Sequence, residues 1–208
     1  MGTMHRREVV QLLAVTPFAT AFDWSLEDAE QARRAARAAR MKAAESGAQF
    51  VPQFFTSHEY VTVRVLADLI IPRDARSGSA SDAGVPEFMD FIVLDQESLQ
   101  TSMRGGLAWL DAQCRKRFDK TLVECRPDER RVVLDDIAWP ERARPEMSHG
   151  VAFFNSFRDL TASGFWTSQI GIEDLQYQGN NFLPEWTGCP PEALDKVGVK
   201  YDEEQRDG

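Results

Sequence analysis

The segment from Thr56 to Pro72, TSHEYVTVRVLADLIIP, carries one periodicity, and it is helical. Thr56-Ser57-His58-Glu59 has the form of a capping box. The hydroxyl and the carboxylate three residues on can each take a backbone N–H that a helix start leaves without a partner. Phe54-Phe55 sets an aromatic at the stapling position just before it. Val61, Val65, Leu66 and Leu69 then recur at helical spacing, which predicts one buried face. Pro72 ends the helix, since proline has no N–H to donate and its ring clashes with the preceding turn. His58 falls in the first turn, where a lone imidazole reads as a surface residue rather than a metal ligand.

The same signals recur on both sides. Upstream, Ser25-Leu26-Glu27-Asp28 caps an Ala/Arg-rich run that ends at Gly47, a C′ stop. Alanine favours helix but offers little apolar area, so this helix is expected on a surface or reaching towards a partner. Arg33, Arg37 and Arg40 would then run along one side as a solvated face or an anion-binding stripe. Downstream, PRDARSGSASDAG (72–84) is the most polar, turn-rich stretch, and Val85-Pro86-Glu87 restarts a helix with proline in its first turn. Phe88, Phe91, Ile92 and Leu99 form its apolar face. Gly105-Gly106 are expected to break the chain before a helix on Leu107, Leu110, Cys114 and Phe118. Pro127 opens another on Val132, Val133 and Ile137, up to Pro140. Phe153, Phe154, Phe157 and Leu160 define the most aromatic helix, stopped by Gly164. From Phe165 the chain is turn-rich, with a short helix over 192–197. No alternating strand pattern of useful length appears. The fold class is all-α: a single compact helical domain of about six or seven helices with a turn-rich C-terminal segment.

The 208 residues, 43% hydrophobic and 10% aromatic, suffice for one well-buried core. A net charge of -9 argues against nucleic acid as a partner. No apolar run reaches the ~20 residues of a membrane span. RREVVQLLAVTPFATA, Arg6 to Ala21, has the parts of an export signal: a basic start at Arg6-Arg7, a mildly apolar centre from Val9 to Phe18, and small residues at Ala19 and Ala21. A weak centre behind two arginines suits the twin-arginine route, although His5 and Val9 stand where that signal carries a hydroxyl residue and Phe. An ordinary amphipathic helix is the other reading. On the export reading the mature chain begins near Phe22, and the protein is periplasmic.

Catalytic constellations are not evident. There is no glycine-rich phosphate loop, no C-x-x-C, no G-x-S-x-G, and the histidines at 5, 58 and 149 are never at ligand spacing. Adjacent Asp135 and Asp136 point about 100° apart on a helix, a poor arrangement for shared acid–base work. No catalytic, cofactor-binding or metal-binding residue is assigned. Cys114, Cys125 and Cys189 are an odd number, which in an oxidising compartment suggests a pair plus one. Cys114 and Cys125 are close enough in sequence to meet across a helix and loop, but Cys114 also reads as a buried thiol on an apolar face. Cys189, in the turn Gly188-Cys189-Pro190-Pro191, is a candidate bridge to a partner chain, or else a surface thiol.

FFTSHEYVTVRVLADLIIPRD, SGSASDAGVPEFMDFIV, RGGLAWLD, FFNSFRDLTASGFWTSQIG and DLQYQGNNFLPEWTGCPPEAL, in that order, resemble the gluconate 2-dehydrogenase subunit 3 family. The likeness runs from about Phe54 to Val199. It divides the chain into a signal (1–21), an Ala/Arg-rich helix and linker (22–53), the subunit 3-like domain (54–199) and an acidic tail (200–208). The resemblance implies a small, or gamma, subunit with no cofactor of its own. Its partner would be a GMC-type flavoprotein that binds FAD, oxidises the sugar and passes electrons to a c-type cytochrome or another acceptor. In this family the small subunit supports folding of the large one and carries the export signal for both. Phe165, Trp166, Tyr177, Phe182, Trp186 and Cys189 are the candidate interface residues. A second reading is a stand-alone envelope enzyme or ligand-binding protein, using a pocket of Phe153, Phe154 and Phe157 with Arg158 or Asp159 at its mouth.

Overall fold

A computed structural model describes residues 25–176 and 188–200. All regular structure among them is helical. The chain divides into two units at Gln176/Tyr177. The first holds α1 (Leu26–Ser46), α2 (Ser57–Ile70), α3 (Ala80–Ala83), α4 (Val85–Asp95), α5 (Glu97–Phe118), α6 (Pro127–Asp135), a 3-10 turn (Pro145–Met147), α7 (Ser148–Trp166) and α8 (Gln169–Asp174). The second holds α9 (Pro191–Val197), with no buried side chain of its own. The all-α expectation holds. The helices beyond the expected six or seven are short ones: α3 inside the polar segment, and α8 after Trp166.

Caps set most of the boundaries. Ser25 with Asp28, Thr56 with Glu59, and Ser79 with Asp82 each form a reciprocal capping box. Gly84 closes α3 and opens α4 at φ 83°, a left-handed conformation that glycine reaches without steric cost. Pro86 follows in the first turn of α4.

α4 is the centre of the unit. Val85, Phe88, Met89, Ile92 and Val93 are buried, and α1, α2, α5 and α7 all pack against it. Asp90, also fully buried, clamps the link between α1 and α2. Its carboxylate accepts the backbone N–H of Gln53 at 2.7 Å, Phe54 at 3.0 Å and Phe55 at 2.9 Å. Three donors on one carboxylate offset the cost of taking a charge out of water. Arg104 of α5 reinforces the link: it donates to Glu59 at 2.9 Å and to the Phe54 carbonyl at 2.6 Å, and lies over the Phe54 ring.

Several expectations are corrected. The helix from Thr56 turns a different face inward. Thr62, Val63, Leu66 and Ala67 are buried, while Val61 and Leu69 are exposed. Thr62 is accommodated because its hydroxyl donates to the His58 carbonyl at 3.0 Å. The Gly105-Gly106 pair does not break the chain; α5 runs through it. Gly164 does not stop α7, which begins at Ser148 and reaches Trp166; a Cβ at 164 would approach the Phe88 ring to 2.7 Å. Leu99 belongs to α5 rather than to α4. α6 ends at Asp135, and Val132 on it is exposed. The Ala/Arg-rich helix is not solvated all round. Ala32 and Ala36 are buried against α4, Arg33 donates to the Thr167 carbonyl, and Arg40 donates to that of Asp82.

Candidate functional site

A groove of about 450 Å³ lies between α5 and α7. Small residues bring the two helices close. A Cβ at Gly106 of α5 would collide with the Phe153 ring of α7, and a Cβ at Gly150 of α7 would collide with the Trp109 ring of α5. Each helix thus seats an aromatic ring over the other's glycine. Leu99, Met103 and Leu160 form an apolar floor beside these rings, with Ser102, Ser156 and His149 among the lining groups. A mostly apolar groove with few polar groups suits an apolar side chain or ligand; nothing in it is arranged for acid–base work. The pocket proposed from Phe153, Phe154 and Phe157 is therefore placed differently. Phe153 lines the groove, while Phe154 and Phe157 belong to the core. Arg158 and Asp159 pair with each other at 3.7 Å.

The candidate interface residues fare unevenly. Phe165 is wholly buried and packs edge-on to Trp166 with ring centroids 4.9 Å apart, so it is a core residue and not part of a docking surface. Its position in the last turn of α7, next to the final residue Trp166, aims it inward, which the turn-rich reading of that segment hid. Trp166 is 39% exposed, and Leu175 just beyond α8 is exposed too. Cys189 is exposed in the second unit. Tyr177, Phe182 and Trp186 lie outside the described residues, as do Arg6 and Arg7. Sequence reasoning passed over Trp139, 59% exposed with the Arg142 guanidinium 5.8 Å from its ring centroid. It also passed over Trp109, whose spacing of three from Gly106 was the available signal.

A second polar centre ties α2, α5 and the loop before α6. Asp111, buried on α5, accepts the Leu122 N–H at 2.9 Å through one oxygen. The other oxygen meets the His58 Nε2 at 2.6 Å, with Arg115 at 3.6 Å. His58 is half-exposed, as expected, yet it is fastened to a buried carboxylate. Just beyond Asp111, the buried Cys114 and Cys125 are neighbours. Burial, and then the adjacent Cys125, push the Cys114 thiol up to about 12. On the opposite side of α2, burial and the Glu87 carboxylate hold the Tyr60 phenol above its ordinary value. No group of three or more His, Cys, Asp or Glu residues able to hold a metal occurs among the described residues. No helix among them is long and apolar enough to cross a membrane.

In comparison with protein families, the one described as Gluconate 2-dehydrogenase subunit 3 matches residues 57–184, from the first residue of α2 to beyond α8. The curated proteins and the solved structures gave no match.

Proposed function

The chain belongs to the gluconate 2-dehydrogenase subunit 3 family, and from that premise we propose that it is the non-catalytic small subunit of a periplasmic FAD-dependent sugar or glycoside dehydrogenase. The family match carries this reading. In it, the chain binds a GMC-type flavoprotein and keeps that larger subunit folded. FAD would be held by the partner and would supply the oxidising chemistry there, with a c-type cytochrome as the acceptor of its electrons. Arg6 and Arg7 direct export of the pair.

The task of this chain's own residues is recognition. Exposed Trp166 and Trp139 offer large apolar area at low conformational cost, the kind of side chain that concentrates binding energy at interfaces. The groove beside Trp109 and Phe153 offers a concave seat for apolar side chains of the partner. A stable pairing of this kind buries on the order of 2,000 Å² or more.

Co-expression with a flavoprotein gene from the same locus tests the reading. The expected outcome is a yellow complex from which both chains co-purify, with flavin and dehydrogenase activity following the large chain. Trp166→Ala and Trp139→Ala are then expected to weaken co-purification; a typical interface anchor is worth ~2 kcal/mol or more, about thirtyfold in affinity. A chain that binds flavin stoichiometrically, or oxidises a carbohydrate without a partner, overturns it. Replacing Arg6 and Arg7 by Lys tests the export claim separately, through the compartment in which the flavoprotein accumulates.

A further inference from the structure

We propose that Cys114 and Cys125 form an intrachain disulfide that fastens the C-terminal half of α5 to the loop leading into α6. Both side chains are buried in the core, and they are neighbours there, close enough that Cys125 acts on the Cys114 thiol. The backbone around them is already fixed in a matching register. Asp111, three residues before Cys114, holds the N–H of Leu122, three residues before Cys125. The Cys125 N–H donates to the Thr121 carbonyl at 3.0 Å, closing the turn that carries the second cysteine. Arg130 of α6 donates to the carbonyls of Leu122 at 2.9 Å and Val123 at 2.6 Å, holding the loop from its other side. Two neighbouring buried thiols on segments pinned together in this way can be joined with little backbone movement.

The reaction is thiol–disulfide exchange with a small or protein disulfide RSSR. The thiolate of one cysteine attacks RSSR, releasing RS⁻ and leaving a mixed disulfide. The second thiolate attacks the protein-bound sulfur of that mixed disulfide and releases the other RS⁻. The two protons lost from the cysteines end on two RSH; the cysteines are oxidised by two electrons and RSSR is reduced by two. Because both sulfurs are buried and the Cys114 thiolate is suppressed, the folded chain shields them from the oxidant. The bond therefore closes as the chain folds, and once closed it is shielded from reductants in turn. The proposal requires no flavoprotein partner, so it stands or falls apart from the subunit reading.

The test uses the full chain, alone or in its complex, refolded or equilibrated in a glutathione/oxidised glutathione buffer, then acid-quenched, denatured, alkylated and digested. Arg115 to Lys120 provide tryptic cleavage sites between the two cysteines. The expected result is a peptide carrying Cys114 joined to one carrying Cys125. A Cys189→Ser chain should give the same linked pair. Recovery of both as alkylated thiols overturns the proposal, as does a majority joined to glutathione or to Cys189. Reduction in denaturant followed by refolding without oxidant is expected to lower Tm by roughly 5–10 °C, the effect of opening a short covalent loop in a chain of this size. Equal Tm values for the two forms would remove the fastening role.

Discussion

The α1–α4 and α5–α7 contacts are both made by small residues, yet they differ in kind. Ala32 and Ala36 let α1 lie flat on α4, so that backbone approaches backbone across short side chains. Gly106 and Gly150 instead leave notches, each filled by a ring from the opposite helix. The first contact is a smooth seat trimmed with arginines that cap carbonyls at 82 and 167. The second is an interlock, and the groove lies beside it. Residues that contribute little apolar area can thus decide where two helices meet.

Four substitutions and a pH series would break or sharpen the contrast. Asp90→Ala is expected to have the largest effect. It strands two buried N–H groups and a part-buried third and frees the link that holds α1 to the rest, costing about 3 kcal/mol or more by denaturant unfolding. If the loss is local, hydrogen exchange should rise first at 53–55 and in α1. Gly106→Ala should cost about 2–3 kcal/mol, because the new methyl displaces the Phe153 ring in a packed site. Unchanged stability would show that the rings are not interlocked. Ala36→Leu should cost about 1–2 kcal/mol by prying α1 from α4, whose flatter contact can adjust more easily. Gly105→Ala should go the other way. Nothing lies within 4 Å of a Cβ there, so the better helix former should stabilise by ~0.5–1 kcal/mol. Two adjacent glycines in one helix with opposite signs would be hard to explain by propensity alone.

The smallest effect is expected from carboxylates that cap turns and helix starts. The Ser79 N–H holds the Asp82 carboxyl below its usual value, the Thr121 N–H does so for Glu124, and the Arg126 N–H and Lys120 for Glu129. In the unfolded chain these groups titrate near 3.8 and 4.5 and bind protons before the folded chain does. Their contribution is therefore present above that range and fades as pH falls through it. Tm should stay level from neutral pH to about 5 and decline below about 4.5. Charge-neutralising substitutions at 82, 124 and 129 should flatten that decline.

Capping chemistry made the helical class legible in the sequence, because Ser25 and Thr56 act on neighbours three residues away; the equivalent box of Ser79 and Asp82 was hidden in a stretch read as turns. The buried face of α2 was misjudged because Thr62 counts as polar in a sequence, whereas in the structure its hydroxyl is satisfied within its own helix. Gly106 and Gly164 read as breaks because a glycine's worth there depends on a ring from a distant helix, whereas Gly105 is simply carried within α5 with open space beside it. The groove was invisible for the same reason. Asp90 gave no signal at all: its three donors lie 35 to 37 residues upstream. Trp166 was found as an exposed aromatic, whereas Phe165 beside it was not separated from it, since the last turn of α7 was taken for a loop.

Reciprocal seating of Phe153 over Gly106 and Trp109 over Gly150 also restricts motion. With a tooth on each rod, neither helix can slide along the other by a single residue without driving both rings onto backbone that has no notch. Axial shear between them is blocked in both directions. Any protein that docks along this seam meets a rigid rail, and can adjust its own position on the rail but not the spacing of the two helices that form it.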